Sequence, residues 1–180
     1  FNLSLRDSKF PTIWKPIVVV PVPKKGNKNN ITNYRPISII NVFSKIFEKI
    51  IFSRLYHFTK NKLSTHQHGF IKHKSTTTNL VNYLSFIGPS VSTQGQFDSV
   101  YFDFSKAFDS VPHPLLLHKL KIFGLTTSYI SWFDSYLSNR TATVRLKNTY
   151  SSPYPINTGV FQGSSLGPLL FLIFINDISN

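Results

Sequence analysis

Ser99-Val-Tyr-Phe-Asp-Phe-Ser-Lys-Ala-Phe-Asp-Ser-Val111 sets a lone carboxylate, Asp103, inside an apolar and aromatic run. Read as a strand, the run puts Tyr101 and Asp103 on one face and Val100, Phe102 and Phe104 on the other, because successive side chains alternate. Burying a charge among aromatics is costly unless a partner or a metal compensates it. The chain has 7 acids against 20 Lys+Arg. Asp103, near the end of its strand, therefore either holds a hard cation such as Mg²⁺, which takes one or two carboxylates plus substrate phosphates, or pairs with a basic side chain. Asp109, just before Pro112, reads as a turn or capping residue.

Outward from this stretch, strands alternate with helices. Ile17-Val-Val-Val20 is a short β-branched strand leading into the turn Pro23-Lys-Lys-Gly-Asn27. Asn41 or Ser44 caps a basic amphipathic helix through about Lys62, with Ile46, Phe47, Ile50, Ile51, Leu55 and Phe58 at helical spacing. A second helix is expected over about Thr76 to Ile87, then a polar loop from Gly88 to Gly95. After the Asp103 strand, Pro112-His-Pro114 opens a helix over Leu115–Phe123, Gly124 closes it, and another helix follows over about Thr127 to Ser138. Thr141–Leu146 alternates like an exposed strand, Pro153 and Pro155 break it, and the glycine-rich loop Gly159–Pro168 precedes a buried helix over Leu169–Ile175. No repeat or long linker divides the chain, and the pattern favours an α+β or α/β arrangement.

Length and composition narrow the function. A chain of 180 residues that is 41% hydrophobic can build one modest core. A formal net charge of +13 draws polyanions, nucleic acid first among them, because Lys and Arg release the counterions condensed on phosphates. No apolar run approaches the roughly 20 residues of a spanning helix. Without cysteine there are no disulfides, thiolate metal sites or cysteine nucleophiles. Lys24, Lys25 and Lys28 offer point charges on the first loop, and Arg35 offers a planar fork for phosphate oxygens; a solvated basic loop is the alternative. The six histidines form no helical metal-ligand pair. The glycine-rich loop lacks the Gly-Lys-Ser/Thr of a phosphate-binding P-loop. Gln162 and Gly163 let backbone approach a base or sugar closely, or Gly167-Pro168 simply starts a helix.

Seven segments, in order, carry a resemblance. Phe10-Pro-Thr-Ile-Trp14, Pro23-Lys-Lys-Gly26, Asn33-Tyr-Arg-Pro-Ile-Ser38, Ser44-Lys-Ile-Phe-Glu48, Gln67-His-Gly-Phe70, Phe102-Asp-Phe-Ser-Lys-Ala-Phe-Asp109 and Gly159-Val-Phe-Gln-Gly-Ser-Ser-Leu-Gly-Pro-Leu-Leu-Phe171 together resemble the reverse transcriptase of non-LTR (LINE-type) retrotransposons. The resemblance implies an α+β right-hand polymerase fold: fingers over residues 1–95 and a partial palm over 96–180, with an antiparallel sheet flanked by helices. It also implies an RNA template, a DNA primer, dNTPs, and an intracellular setting in nucleus and cytoplasm.

By the same resemblance, Asp103 matches the first catalytic aspartate, a ligand of two Mg²⁺ ions, with the Phe104 carbonyl also on metal. Phe108 matches an aromatic gate against the nucleotide 2′-hydroxyl, Gln162 and Gly163 a loop beside the incoming nucleotide and template, and Arg35 with Lys24 or Lys25 a triphosphate clamp. Asp109 is expected to be structural. Two departures stand out. Phe161 replaces the proline of the family's Gly-Val-Pro-Gln-Gly loop, adding an N–H and freeing φ. The Ala-Asp-Asp hairpin that completes the metal site is absent, so the isolated chain is expected to bind nucleic acid without polymerising; a non-catalytic remnant, or an interaction domain with a solvated basic face, is the rival. A cut palm is expected to expose the apolar run Leu169–Ile175.

Overall fold

The computed structural model describes residues 1–93 and 95–178. A short helix α1 (Asn2–Arg6) leads to β1 (Ile17–Pro23), which turns back through the lysine loop into β2 (Tyr34–Ile39). Then come α2 (Val42–Thr59), α3 (Thr76–Ser92), α4 (His113–Ile122), α5 (Thr127–Leu137), β3 (Arg140–Leu146), β4 (Thr149–Tyr150), β5 (Tyr154–Ile156) and α6 (Gly167–Ile175). One sheet orders as β2-β1-β3-β4, with β5 also on β3. It is antiparallel, as expected, at β1/β2, β3/β4 and β3/β5. The difference is β1 with β3, a parallel pair in the register Ile17↔Ala142, Val18↔Thr143, Val19↔Val144. A parallel neighbour needs a long crossover, and α2 to α5 supply it.

The helices follow their local chemistry. Asn41, not Ser44, caps α2, its side-chain oxygen accepting from the Phe43 N–H at 2.9 Å. Ser44, Phe47, Glu48, Ile51, Leu55 and Thr59 form its buried stripe. There they meet Phe10, Trp132, Phe133 and Tyr136, and Trp132 stacks on Tyr136 with centroids 5.6 Å apart. Each large side chain so buried contributes about 1.5–3 kcal/mol, which makes this aromatic core the main source of stability.

Two charges lie within that core. Glu48 (0% exposed) accepts from Tyr136 Oη at 2.9 Å and from the Ser165 N–H at 2.8 Å. Arg140 (1% exposed) has its guanidinium carbon 4.4 Å from the Tyr136 ring centre, 4.5 Å from Phe161 and 5.0 Å from Phe10. Its Nε donates to the Tyr136 carbonyl at 2.6 Å. Burial pushes the Glu48 pKa up, partly offset by its hydrogen bonds and by Arg140, and lowers that of Arg140. Desolvating such ions costs several kcal/mol each, so the opposite charge and the surrounding donors and rings are needed to keep them there.

Four expectations are corrected. Residues 96–104 form no strand: the segment is irregular and exposed, with Tyr101 80% and Phe102 86% exposed. Alternation makes a strand only where a neighbour completes the ladder, and no described strand pairs with this one. Helix α3 runs to Ser92, through most of the expected loop; residue 94 of that loop lies outside the described residues. Pro89 interrupts the helix little, because it withholds one N–H and the Ser85 carbonyl it leaves lies on an exposed turn. Strand β3 is exposed only in part: Thr141 and Leu146 are open to solvent, but Arg140 and Ala142 are buried because β1 and β5 flank it. The apolar run of α6 is not exposed either. Leu169, Leu170, Leu172 and Ile173 are at most 1% exposed, packed into the common core.

Candidate active site

The glycine-rich loop is laced to the turn after Asp103. The Val160 N–H donates to the Phe108 carbonyl and the Gly159 N–H to the Val111 carbonyl, both at 2.8 Å, and Thr158 Oγ1 donates to the Asp109 carbonyl at 3.1 Å. Gly159 has φ +90°, and a Cβ there would lie 2.8 Å from the Asp109 Cα, so only glycine lets these chains touch. His113, buried at the start of α4, places Nε2 2.9 Å from the Gly159 carbonyl.

Farther along, the same loop meets β2. The Ser38 N–H donates to the Gln162 carbonyl at 2.6 Å, while the Gln162 side-chain nitrogen points to Asp109, 3.3 and 3.4 Å from its two oxygens. Asp109, Gln162, Ser38, Pro36, Tyr154 and Thr158 line a cleft of about 260 Å³. Burial raises the Asp109 pKa, against the Gln162 hydrogen bond and the charges of Lys106 and Lys24. Lys24 and Lys25 both lie on the exposed loop between β1 and β2. Lys25 and Arg35 are solvent-exposed on the same hairpin, and Arg35 lies opposite Val22 in the β1/β2 register.

The other anticipated residues divide. Phe108 is half-buried, stacked on Phe171 at 4.6 Å and edge-on to Phe70 at 5.8 Å. Asp103 and Phe104 lie outside this cluster on the exposed segment. That segment touches α3 through Tyr101 Oη, which donates to Tyr83 Oη at 3.0 Å. Asp103 is thus neither a buried charge nor, among the described residues, part of an ion pair. Phe161 is 5% exposed beneath Arg140, so replacing proline here gives the loop an anchor. Sequence reading missed Glu48, Arg140 and His113 as supports of the loop; a charge inside the apolar stripe of α2 was the available signal.

Residues 22–180 match the family model described as "Reverse transcriptase (RNA-dependent DNA polymerase)". The chain belongs to the reverse transcriptase family.

This reverse transcriptase domain is 34% identical to the "Probable RNA-directed DNA polymerase from transposon BS" of Drosophila melanogaster, over 99% of the domain and 20% of that protein. It is 32% identical to the "RNA-directed DNA polymerase from mobile element jockey" of the same fly, over 99% and 20%. To the "Retrovirus-related Pol polyprotein from type-1 retrotransposable element R2" of Popillia japonica it is 27% identical, over 98% and 25%. These relatives agree with the non-LTR type implied by the motifs, and the chain spans about a fifth to a quarter of their length.

Reverse transcriptases use divalent metal, and the described residues of this domain gather no cluster of three or more His, Cys, Asp or Glu for it. Mg²⁺ takes one or two carboxylates plus waters and substrate phosphates, and Asp103 is a single carboxylate on an exposed segment. No helix among the described residues is long and apolar enough to cross a membrane.

Proposed function

We propose that the protein carrying this domain is an RNA-directed DNA polymerase of a non-LTR retrotransposon, adding dNTPs to a primer 3′-hydroxyl on an RNA template. Residues 1–95 serve as fingers and 96–180 as part of the palm. The observation that carries the reading is the meeting of three segments at one cleft: strands β1 and β2 through Val19, Pro36 and Ser38, the Asp109 turn, and the glycine-rich loop, tied by the Ser38–Gln162 and Gln162–Asp109 contacts.

In this reading Arg35, with Lys24 or Lys25, meets the triphosphate. Gln162 and Gly163 border the nucleotide, and Phe108 backs it from its stack on Phe171. Asp103, with the Phe104 carbonyl, is a ligand for Mg²⁺, a cation that takes one or two carboxylates together with substrate phosphates. A formal net charge of +13 supplies the general attraction for template and primer.

Primer extension by the intact protein on poly(rA)/oligo(dT) with dTTP and Mg²⁺ tests this, beside Asp103→Asn. Extension that drops at least about a hundredfold in Asp103→Asn, with RNA binding kept, supports the reading. Equal extension by the variant removes Asp103 from its role, and RNA binding without any extension by the wild type favours a non-catalytic remnant.

A further inference from the structure

We propose that Glu48 is a positioning residue whose carboxylate fixes the glycine-rich loop and thereby the presentation of Gln162 at the cleft. Glu48 stands on the core stripe of α2, between Phe47 and Ile51, where an apolar side chain would pack at no electrostatic cost. Its two oxygens instead reach two other elements. Oε1 accepts from Tyr136 Oη of α5 at 2.9 Å, and Oε2 accepts from the backbone N–H of Ser165 at 2.8 Å, three residues from Gln162.

The rest of the loop closes around that bond. The Ser164 N–H donates to the Phe161 carbonyl at 3.1 Å, and the Gly167 N–H to Ser164 Oγ at 2.8 Å. The Arg140 guanidinium covers the Phe161 ring. The loop is therefore gripped at Phe161 by a cation and at Ser165 by an anion, with Gln162 and Gly163 between the grips. A neutral side chain at position 48 keeps the packing but weakens the grip at Ser165, because hydrogen bonds to a charged acceptor are the stronger kind.

Peptide-resolved amide hydrogen exchange on the intact protein separates positioning from packing, comparing Glu48→Gln with Tyr136→Phe. The second variant removes a partner of the same carboxylate but leaves the Ser165 bond. Exchange over residues 161–167 should quicken about tenfold or more in Glu48→Gln, and much less in Tyr136→Phe at a similar loss of melting temperature. Equal acceleration in both, or none in Glu48→Gln, overturns the proposal. If Glu48→Gln does not fold, the wild type decides: protection of the Ser165 amide comparable to that of α2 supports the proposal, and exchange at solvent rates overturns it.

The kinetic arm rests on the polymerase reading. Glu48→Gln should raise the KM for dNTP about tenfold and change kcat less than about threefold; a loss confined to kcat overturns the proposal. A wild type that does not extend primer defeats the polymerase reading, and the exchange arm still decides the role of Glu48.

Discussion

Gly163 lies so close to Ser38 that a Cβ on it would fall 2.6 Å from the Ser38 carbonyl oxygen. The bare backbone that sequence reading offered to a base or a sugar is pressed here against β2. Its φ of +114° is also a conformation that side chains rarely adopt. Gly163→Ala should therefore cost on the order of 1–3 kcal/mol from strain, seen as a lower urea midpoint. A midpoint unchanged from wild type would show that the loop relaxes freely away from β2.

Phe161 gives a second prediction. Restoring the family's proline by Phe161→Pro removes a ring that contacts both Arg140 and Tyr136. Truncating a buried aromatic of this kind costs about 3 kcal/mol or more, so the variant should be less stable by chemical denaturation despite matching the family motif. Stability equal to wild type would mean that Arg140 finds other cover.

Asp109 should give a pH signature. Its folded-state pKa is raised, burial being the largest cause, so between the ordinary and the raised value the folded protein holds a proton that the unfolded chain has released. Stability from this group is full below the ordinary aspartate pKa and is lost as pH rises through the raised value. In Asp109→Asn that loss should disappear. Thermal melts of both proteins from pH 3 to 7 check it, and parallel curves would sink it.

The lysine hairpin should govern salt dependence. Replacing Lys24, Lys25 and Lys28 together by alanine should flatten the log–log salt slope of single-stranded RNA binding by about 2, at roughly 0.7 for each phosphate no longer neutralised. Filter binding across a salt series measures it. An unchanged slope would place the RNA on another face.

Much of this fold is legible where local chemistry and tertiary context agree. The β-branched run at Ile17–Val20, the cap at Asn41 and the Gly124 break between α4 and α5 are all local signals. Strand β2 is harder to see because Pro36 reads as a breaker, yet β2 is an edge strand, where a missing N–H is tolerated. The segment around Asp103 misleads in the opposite direction: its alternation fits a strand, but a strand also needs a neighbour, which no local pattern reveals. The apolar run of α6 reads correctly as a helix, but its cover by the rest of the core depends on segments distant in sequence. At the site, the order of motifs discloses the family. The support from Glu48, Arg140 and His113 depends on contacts across more than 20 positions of chain, and across more than 100 in the bond between Glu48 and Ser165.

The exposed stretch before the Asp109 turn also makes a natural seam. Four long-range ties bridge it: β1 against β3, Phe10 against Trp132, Ser38 against Gln162 and Glu48 against Ser165. A protease nick between Gly95 and Phe104 would sever one covalent link and leave those ties intact. The two pieces would stay together as complementary fragments, each supplying strands to the other's sheet, with Asp103 carried at the cut end of one of them.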